Sequence, residues 1–590
     1  VTFVEVLLTV IKSLVFLMFV LNLLPIAIWA DRRQSAMVQD RVGPNRAVIW
    51  VSSTVARALL LGPPALLACA AAYFAFVPVR GQLAYDRMVV SLELAILVSW
   101  LFLLVLAGQI RKYGAINGFE RWLTSFDPRT IFYVGLVAHV VTLVLSSSIG
   151  PANATLGARM FGVVLAIVFV LTGAYGASRI ADGKVGLRLF GTIHSLADVI
   201  KLIFKEDFVP KNADKLLHAI APIIALFPPF VILAVIPFGN TLCFQDGGTP
   251  GWDFSDLGRL APVVGASGTC GAGQLPVALQ IADLNVGILF IFAMAGTGVI
   301  GAALAGWASD NQFALLGGLR AASQMVSYEV ALGLSVCGLF MIYGSVRLLP
   351  MVEWQGLYAW GIFVQPIAFL LFITALNAES KRLPFDQPEG ESEIVAGYFL
   401  EYSGMKFGMF FMGEYMELVT SSALLVALFF GGYQLPFLHP DGITVAFGDS
   451  TIFTYKMTHL AVSVLSVLVF FGKTIFIGFV QIFFRWTLPR FRYDQVMKLG
   501  WTMMLPIALG NILVTGLVVL AIQSAGPEVT SVLRVLADAT QALVALGMLG
   551  GAIAFVAFLL QPASHKTFLR STSARFSAAA GGVKATPQQA

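Results

Sequence analysis

The residues best suited to moving protons lie in one stretch: Glu379-Ser-Lys-Arg-Leu-Pro-Phe-Asp-Gln-Pro-Glu-Gly-Glu-Ser-Glu-Ile-Val-Ala-Gly-Tyr-Phe-Leu-Glu401. It carries six carboxylates, Glu379, Asp386, Glu389, Glu391, Glu393 and Glu401, against two bases, Lys381 and Arg382. Carboxylates this close raise one another's pKa, and low polarity raises it further. Acids held near neutrality can give and take protons. The plainer alternative is a solvated loop between two membrane helices, and composition alone leaves both readings open. Pro384 and Pro388 break any helix across the first half. From Glu389 onward the residues suit a helix again.

Other titratable residues stand inside apolar runs. Arg320, Gln324 and Ser327 make a polar stripe on a helix, and Glu329 lies about half a turn round from Arg320. A lone Glu among apolar neighbours is costly unless paired or protonated, which favours a functional role. Glu414 and Glu417 stand at i, i+3 in one run. Glu93 and His139 lie in two further runs, where a functional role competes with a plain interhelical hydrogen bond. Gly296-Thr-Gly-Val-Ile-Gly301 matches GxGxxG, but no strand precedes it and it sits in an apolar run. Small residues there let helices approach, so it is read as packing and not as a nucleotide site. Four cysteines exclude a disulfide scaffold. Cys243 and Cys270 share one polar loop and could pair if that loop faces an oxidising compartment. The chain lacks cysteine clusters for iron–sulfur ligation and histidine pairs placed for haem. It is therefore expected to bind no FMN, iron–sulfur cluster, NAD or metal of its own.

The elements that must position these acids are membrane helices. Of 590 residues, 58% are hydrophobic and 12% charged, and the mean hydropathy is +0.85. A soluble protein of this size could not hide so much apolar surface, so the fold class is all-α, a polytopic transmembrane bundle. The alternating strands of a barrel are missing from the pattern. The net charge of +5 matters less than its placement. The chain opens on Val, as a GTG start read literally or a trimmed end would leave it, and no cleavable signal peptide is evident.

In chain order, a first span over about 2–29 leads to an Arg-rich loop, 31–46, which the excess of basic residues places on the cytoplasmic side. Apolar runs follow near 58–79, 88–110, 130–150 and 160–178. Their middle loop carries Arg111, Lys112, Arg121 and Arg129 and reads as cytoplasmic, whereas 150–158 is uncharged and reads as external. Over 186–215 the apolar residues Leu189, Ile193, Leu196, Val199, Ile200 and Ile203 keep helical spacing, with Asp198, Lys201 and Lys205 elsewhere. That is an amphipathic helix lying in the membrane interface. Spans near 216–238 and 282–305, a stretch from 309 running into a span that ends near 343, and spans near 357–376, 406–430, 452–480, 501–522 and 541–560 complete about thirteen. The basic loop 484–498 is cytoplasmic, the N-terminus external, and the tail 563–590 disordered and cytoplasmic.

Six motifs make the chain recognisable: VQDRVGPNR (38–46), LADVIKLIFKEDFVP (196–210), ALLGGLRAASQMVSYEV (314–330), AESKRLPFDQPEGESEIVAGYFLEYSGMKF (378–407), GEY (413–415) and LPRFRYDQVMKLGW (488–501). In that order they closely resemble the H subunit of bacterial NADH:quinone oxidoreductase, respiratory complex I, whose mitochondrial counterpart is NADH dehydrogenase subunit 1. The resemblance covers about 1–47 and 186–522. It implies an eight-span core at the junction of the membrane and hydrophilic arms, lining the quinone chamber and opening the proton path. Such a protein works in a proton-translocating enzyme without holding a redox centre. By motif, the quinone site takes Arg41, Asp198, Arg320, Glu379, Arg382 and Asp386. The acidic coupling loop takes Glu389, Glu391, Glu393 and Glu401, and the proton path Glu329, Glu379 and Glu414. The substrate implied is ubiquinone or menaquinone. The implied partners are quinone-site subunits of the hydrophilic arm, neighbouring membrane-arm subunits and membrane lipid, with no nucleic acid. The implied location is the bacterial inner membrane.

Three departures stand out. Asp31 replaces the family's usual Glu, and Glu379-Ser-Lys-Arg382 replaces Glu-Thr-Asn-Arg, adding a positive charge near the chamber. The third is length: 48–185 interrupts a junction that is direct in the family, and a last span over 523–562 exceeds its core. Leaving and returning on one side requires an even number of crossings, so 48–185 is expected to be an inserted four-helix unit for packing, lipid contact or docking. Two alternatives compete. One is the related membrane anchor of a membrane-bound hydrogenase. The other is a secondary ion transporter, which would predict paired repeats that the sequence lacks.

Overall fold

The computed structural model describes residues 3–559, apart from 40–42, 45–48, 78–81, 114–117, 149–153, 181–182, 188–190, 246–269, 271–273, 440–441, 448–449, 458 and 525–526. Arg41 and the tail 563–590 therefore lie outside the described residues.

The chain opens with helix α1 (Phe3–Val38). Strand β1 (Ile49–Ser52) starts an excursion of four long helices and one short one, α2 (Ser53–Phe76), α3 (Gln82–Tyr113), the short α4 (Gly118–Thr124), α5 (Pro128–Ser148) and α6 (Ala154–Ser178). It closes with strand β2 (Lys184–Leu187), which pairs antiparallel with β1 from Ile49↔Leu187 to Ser52↔Lys184. The chain thus leaves and re-enters at one point. Within the excursion, the Glu93 carboxylate meets His139 Nδ1 at 2.5 Å and accepts from Thr142 Oγ1 at 2.6 Å, tying α3 to α5. Both residues predicted inside spans thereby pair with each other, with the buried His139 Nε2 left without a partner among the described residues.

Beyond β2 come the amphipathic α7 (Ile193–Phe204) and α8 (Lys215–Val235). Leu196, Ile200, Ile203 and Phe204 of α7 are exposed, as an interfacial apolar face requires. The hairpin β3 (Gly239–Gln245) and β4 (Gln274–Leu279) follows, and Cys243 is disulfide-bonded to Cys270 beside it. Then come α9 (Gly287–Ala308), α10 (Gln312–Tyr343), α11 (Leu348–Leu357), α12 (Gly361–Val364) and α13 (Pro366–Glu379). The expected span at 357–376 is therefore broken, because Pro366 cannot donate to the preceding turn. After one turn, α14 (Glu391–Ile394), and a 3-10 turn at Gly397–Phe399, α15 runs from Gly404 to Phe429. The helix expected from Glu389 onward forms only in these fragments. Positive φ at Val395, Gly397 and Gly404 interrupts it each time. Strands β5 (Leu438–His439), β6 (Gly442–Phe447) and β7 (Ser450–Lys456) form a small sheet. They precede α16 (His459–Thr487), α17 (Tyr493–Lys498), a π turn at Leu499–Met504, α18 (Leu505–Ser524) and α19 (Pro527–Leu559).

Eleven helices are long and apolar enough to span, and two shorter apolar helices, over Thr130–Thr142 and Pro366–Glu379, lie among the described residues. The protein is an all-α, multi-pass membrane protein. Helix α15 is its axis: Met416, Leu425 and Phe429 are fully buried and pack with Tyr328 of α10 and Phe372 of α13. In lipid such packing, and not water exclusion, holds helices together. Gly301 shows this, since a Cβ there would stand 2.7 Å from the Ala225 backbone of α8. The GxGxxG stretch is a helix contact. At the end of α15, Lys473 of α16 donates to the carbonyls of Phe430 (2.7 Å), Gly432 (3.1 Å) and Gln434 (2.6 Å) and lies over the Trp360 ring. It satisfies the C-cap carbonyl, which a helix end would leave orphaned, and two more in the turn that follows.

Candidate functional site

The acidic stretch is folded into the bundle and not spread into solvent. Helix α13 ends at Glu379, and Lys381 adopts φ +56°, turning the chain sharply. Gln324 of α10 donates to the carbonyls of Ala378 (2.6 Å) and Phe385 (2.8 Å), fastening both ends of that turn. Phe491 N donates to Pro384 O at 3.1 Å, and Gln387 donates to Phe491 O. As a result Lys381, Arg382, Asp386 and Gln387 are all buried.

Buried charges must be paired, and here they are paired in a connected cluster. Arg382, 3% exposed, meets Glu414 Oε1 of α15 at 2.9 Å and stacks on the Tyr415 ring at 4.3 Å. Among the described residues its two terminal nitrogens have no hydrogen-bond acceptor. Arg485 of α16 lies 2.9 Å from Asp31 of α1 and 4.0 Å from Glu414. Asp31 also accepts from Tyr415 Oη (2.6 Å) and Trp486 Nε1 (2.7 Å). Asp386 accepts from Arg490 Nη2 at 2.6 Å. Burial nevertheless pushes the Asp386 carboxyl up to about 6, against the opposing pull of Arg490. Glu389 is raised well above the usual carboxylate range, by burial first and then by Glu414 and Asp386.

One turn further along α15, Lys381 Nζ meets Glu417 Oε1 at 3.1 Å. Glu417 and Glu379 both line a cavity of about 50 Å³, together with Ser380, Thr420 and Ser421 and apolar walls from α8, α9 and α10. A water needs roughly 10–15 Å³, so several fit. The Glu329 carboxylate occupies space left by Gly296, where a Cβ would meet its Oε1 at 2.9 Å.

The structure therefore brings together Glu379, Arg382, Asp386, Glu389 and Glu414, with Glu329 within electrostatic reach of Glu379. Arg320 and Glu393 form a separate pair at 2.6 Å, beside the Tyr493 ring. Asp198 of α7 pairs with Arg32 of α1. Glu401 stands apart and accepts from Asn311 at 2.7 Å. Arg41 and the Glu391 side chain lie outside what is described. The sequence reading left Glu417, Asp31, Arg485 and Arg490 off the site. Glu417 was signalled by its i, i+3 spacing from Glu414, which puts both on one face. Arg485 stands in a loop read for membrane orientation, and Arg490 in a motif that marks the family without a role being given to it.

A family model described as "NADH dehydrogenase" matches residues 154–516. The chain is 38% identical over 389 residues to NADH-quinone oxidoreductase H subunit 1 of Geobacter sulfurreducens, covering 66% of this chain and 96% of that one. It is 40% identical over 372 residues to NADH-quinone oxidoreductase H subunit 2 of Geobacter metallireducens, covering 61% and 95%. It is 38% identical over 343 residues to "NADH-quinone oxidoreductase subunit 8" of Rhodothermus marinus, covering 58% and 87%.

Proposed function

This chain belongs to the NADH dehydrogenase family, among the H subunits of NADH-quinone oxidoreductase, and on that premise we propose that its buried charge cluster couples quinone reduction to proton translocation. As a membrane subunit of an oxidoreductase complex it has the other subunits as partners. Quinone is the substrate in this reading, the bacterial inner membrane the location, and the electrons come from partner subunits. Reduction of a quinone to its quinol adds electrons and protons in equal number. Negative charge arriving in a low-dielectric chamber is costly unless protons or cations answer it.

The roles follow from position. Arg32–Asp198, Arg320–Glu393 and Arg490–Asp386 supply charged groups towards the quinone chamber, with Arg41 by motif. Glu389, with Glu391, Glu393 and Glu401 of the same loop, takes up protons as charge arrives. Glu414, Glu379 and Glu329 pass them into the membrane. The observation carrying this reading is that a loop bearing six carboxylates holds Asp386, Lys381 and Arg382 buried and sets its two bases against Glu417 and Glu414 of α15, where buried charge is costly unless paired.

The test is the pH profile of quinone reduction by the assembled complex. Asp386 titrates near pH 6. Its pairing with Arg490 needs the ionised form, so kcat/KM for quinone should fall as pH drops through about 6. Asp386→Asn should remove that limb, while NADH oxidation by an artificial acceptor of the hydrophilic arm stays unchanged. An identical acid limb in the variant would count against the reading.

We also infer that 48–185 is an inserted four-helix membrane unit. The β1–β2 pairing at its two ends supports this; the family-model match begins at 154, at the start of its last helix. A cysteine at Ser125 should be labelled only from the cytoplasmic side and one at Thr155 only from outside. Labelling both from one side would overturn the four-span topology.

A further inference from the structure

The Lys381–Glu417 ion pair has no part in the coupling scheme so far, yet Glu417 lines the cavity that holds Glu379, and Lys381 binds Glu417 from behind that wall. We propose that Glu417 is a proton-carrying carboxylate linking Glu414 to Glu379, and that Lys381 is its positioning residue, which keeps one exchangeable proton on the two cavity carboxylates. This deepens the reading of Glu414, Glu379 and Glu329 as a proton path and rests on it.

Geometry comes first. Glu414 and Glu417 are one turn apart on α15, and Glu414 and Arg382 are charged groups acting on Glu417. Glu379 in turn feels Glu417, Glu329 and Lys381. Without Glu417 the path would have to cross the cavity from Glu414 to Glu379 unaided. Glu417 Oε1 is taken by Lys381, whereas its buried Oε2 has no hydrogen-bond partner among the described residues. The cavity walls from α8, α9 and α10, including Pro228, Ala295, Gly298 and Met325, bring no charge among the described lining residues.

Charge counting gives Lys381 its role. An apolar cavity favours net neutrality. One ammonium and two carboxylates are neutral when a single proton is shared between Glu379 and Glu417. One carboxyl can then donate while the other accepts. The step moves a proton from the Glu417 carboxyl through cavity water to the Glu379 carboxylate. It makes one O–H bond for each broken and moves no electron. Without the ammonium, neutrality would protonate both carboxyls and leave no acceptor.

The experiment uses the assembled complex in sealed vesicles, with NADH and a short-chain quinone. Readouts are proton pumping, quinone reduction, and infrared difference spectra in H2O and D2O. Glu417→Gln and Lys381→Met should each lower pumping about tenfold. Glu417→Gln should also remove a D2O-sensitive carboxyl band, and Lys381→Arg should retain both band and pumping. Where Glu417→Gln fails to assemble, Glu417→Asp should shift the same band. Wild-type pumping with unchanged carboxyl bands in Glu417→Gln, or an unshifted band in Glu417→Asp, would overturn the proposal. Quinone reduction without pumping by the unsubstituted complex would instead overturn the parent reading, and this inference with it.

Discussion

The Glu379→Gln complex is expected to assemble normally yet reduce quinone about a hundredfold more slowly than the unsubstituted complex. The substitution keeps the shape of the side chain and removes only its ability to carry a proton. Glu379 stands between Glu417 and Glu329. It is the last residue of α13, it faces the cavity shared with Glu417, and it lies within reach of Glu329. A cavity beside it of about 50 Å³, with room for water, would give protons a way in and out. NADH oxidation by an artificial acceptor, measured on the same preparation, should be unaffected, because that reaction ends before the membrane arm. A quinone-reduction rate within about twofold of the unsubstituted complex would make Glu379 a structural acid.

Arg382→Met should produce the largest loss of stability. Arg382 is 3% exposed, bonds Glu414 at 2.9 Å and stacks on Tyr415. Removing it leaves Glu414, 11% exposed, with Arg485 no nearer than 4.0 Å. Breaking one side of a buried pair costs about 3–5 kcal/mol, because the remaining charge is uncompensated. The methionine fills most of the volume, so a cavity adds little. The double variant Arg382→Met with Glu414→Gln removes both charges and should recover much of the loss. Thermal unfolding of the purified complex, followed by retention of this subunit, measures both. Equal loss in the single and double variants would show that packing of the arginine, and not its charge, holds the loop.

Much of this was legible in the sequence because membrane helices write themselves in long apolar runs. The four runs within 48–185 match α2, α3, α5 and α6 to within a few residues. The acidic stretch declared itself by contrast with its neighbours. What stayed hidden was partnership across distance. Nothing in a linear reading joins Asp31 of α1 to Tyr415 of α15 and to Arg485 and Trp486 of α16, far along the chain. The added base at Lys381 looked like an unbalanced charge near the chamber until the fold set Glu417 against it. The helix expected after Glu389 failed for a related reason. Local propensity favoured it, but positive φ at Val395 and Gly397 reshapes the backbone so that the loop can be pinned between α10 and α15.

The central claim is that these acids carry protons when quinone is reduced, and proton release into sealed vesicles tests it most directly. Complex bearing Glu329→Gln together with Glu414→Gln would be compared with the unsubstituted complex, each supplied with NADH and quinone, while a pH-sensitive dye follows the lumen. Both residues lie on apolar helices, on either side of Glu379 in the proposed path. The account predicts that the double variant forms little or no proton gradient and turns over slowly. An undiminished gradient at an undiminished rate would contradict it.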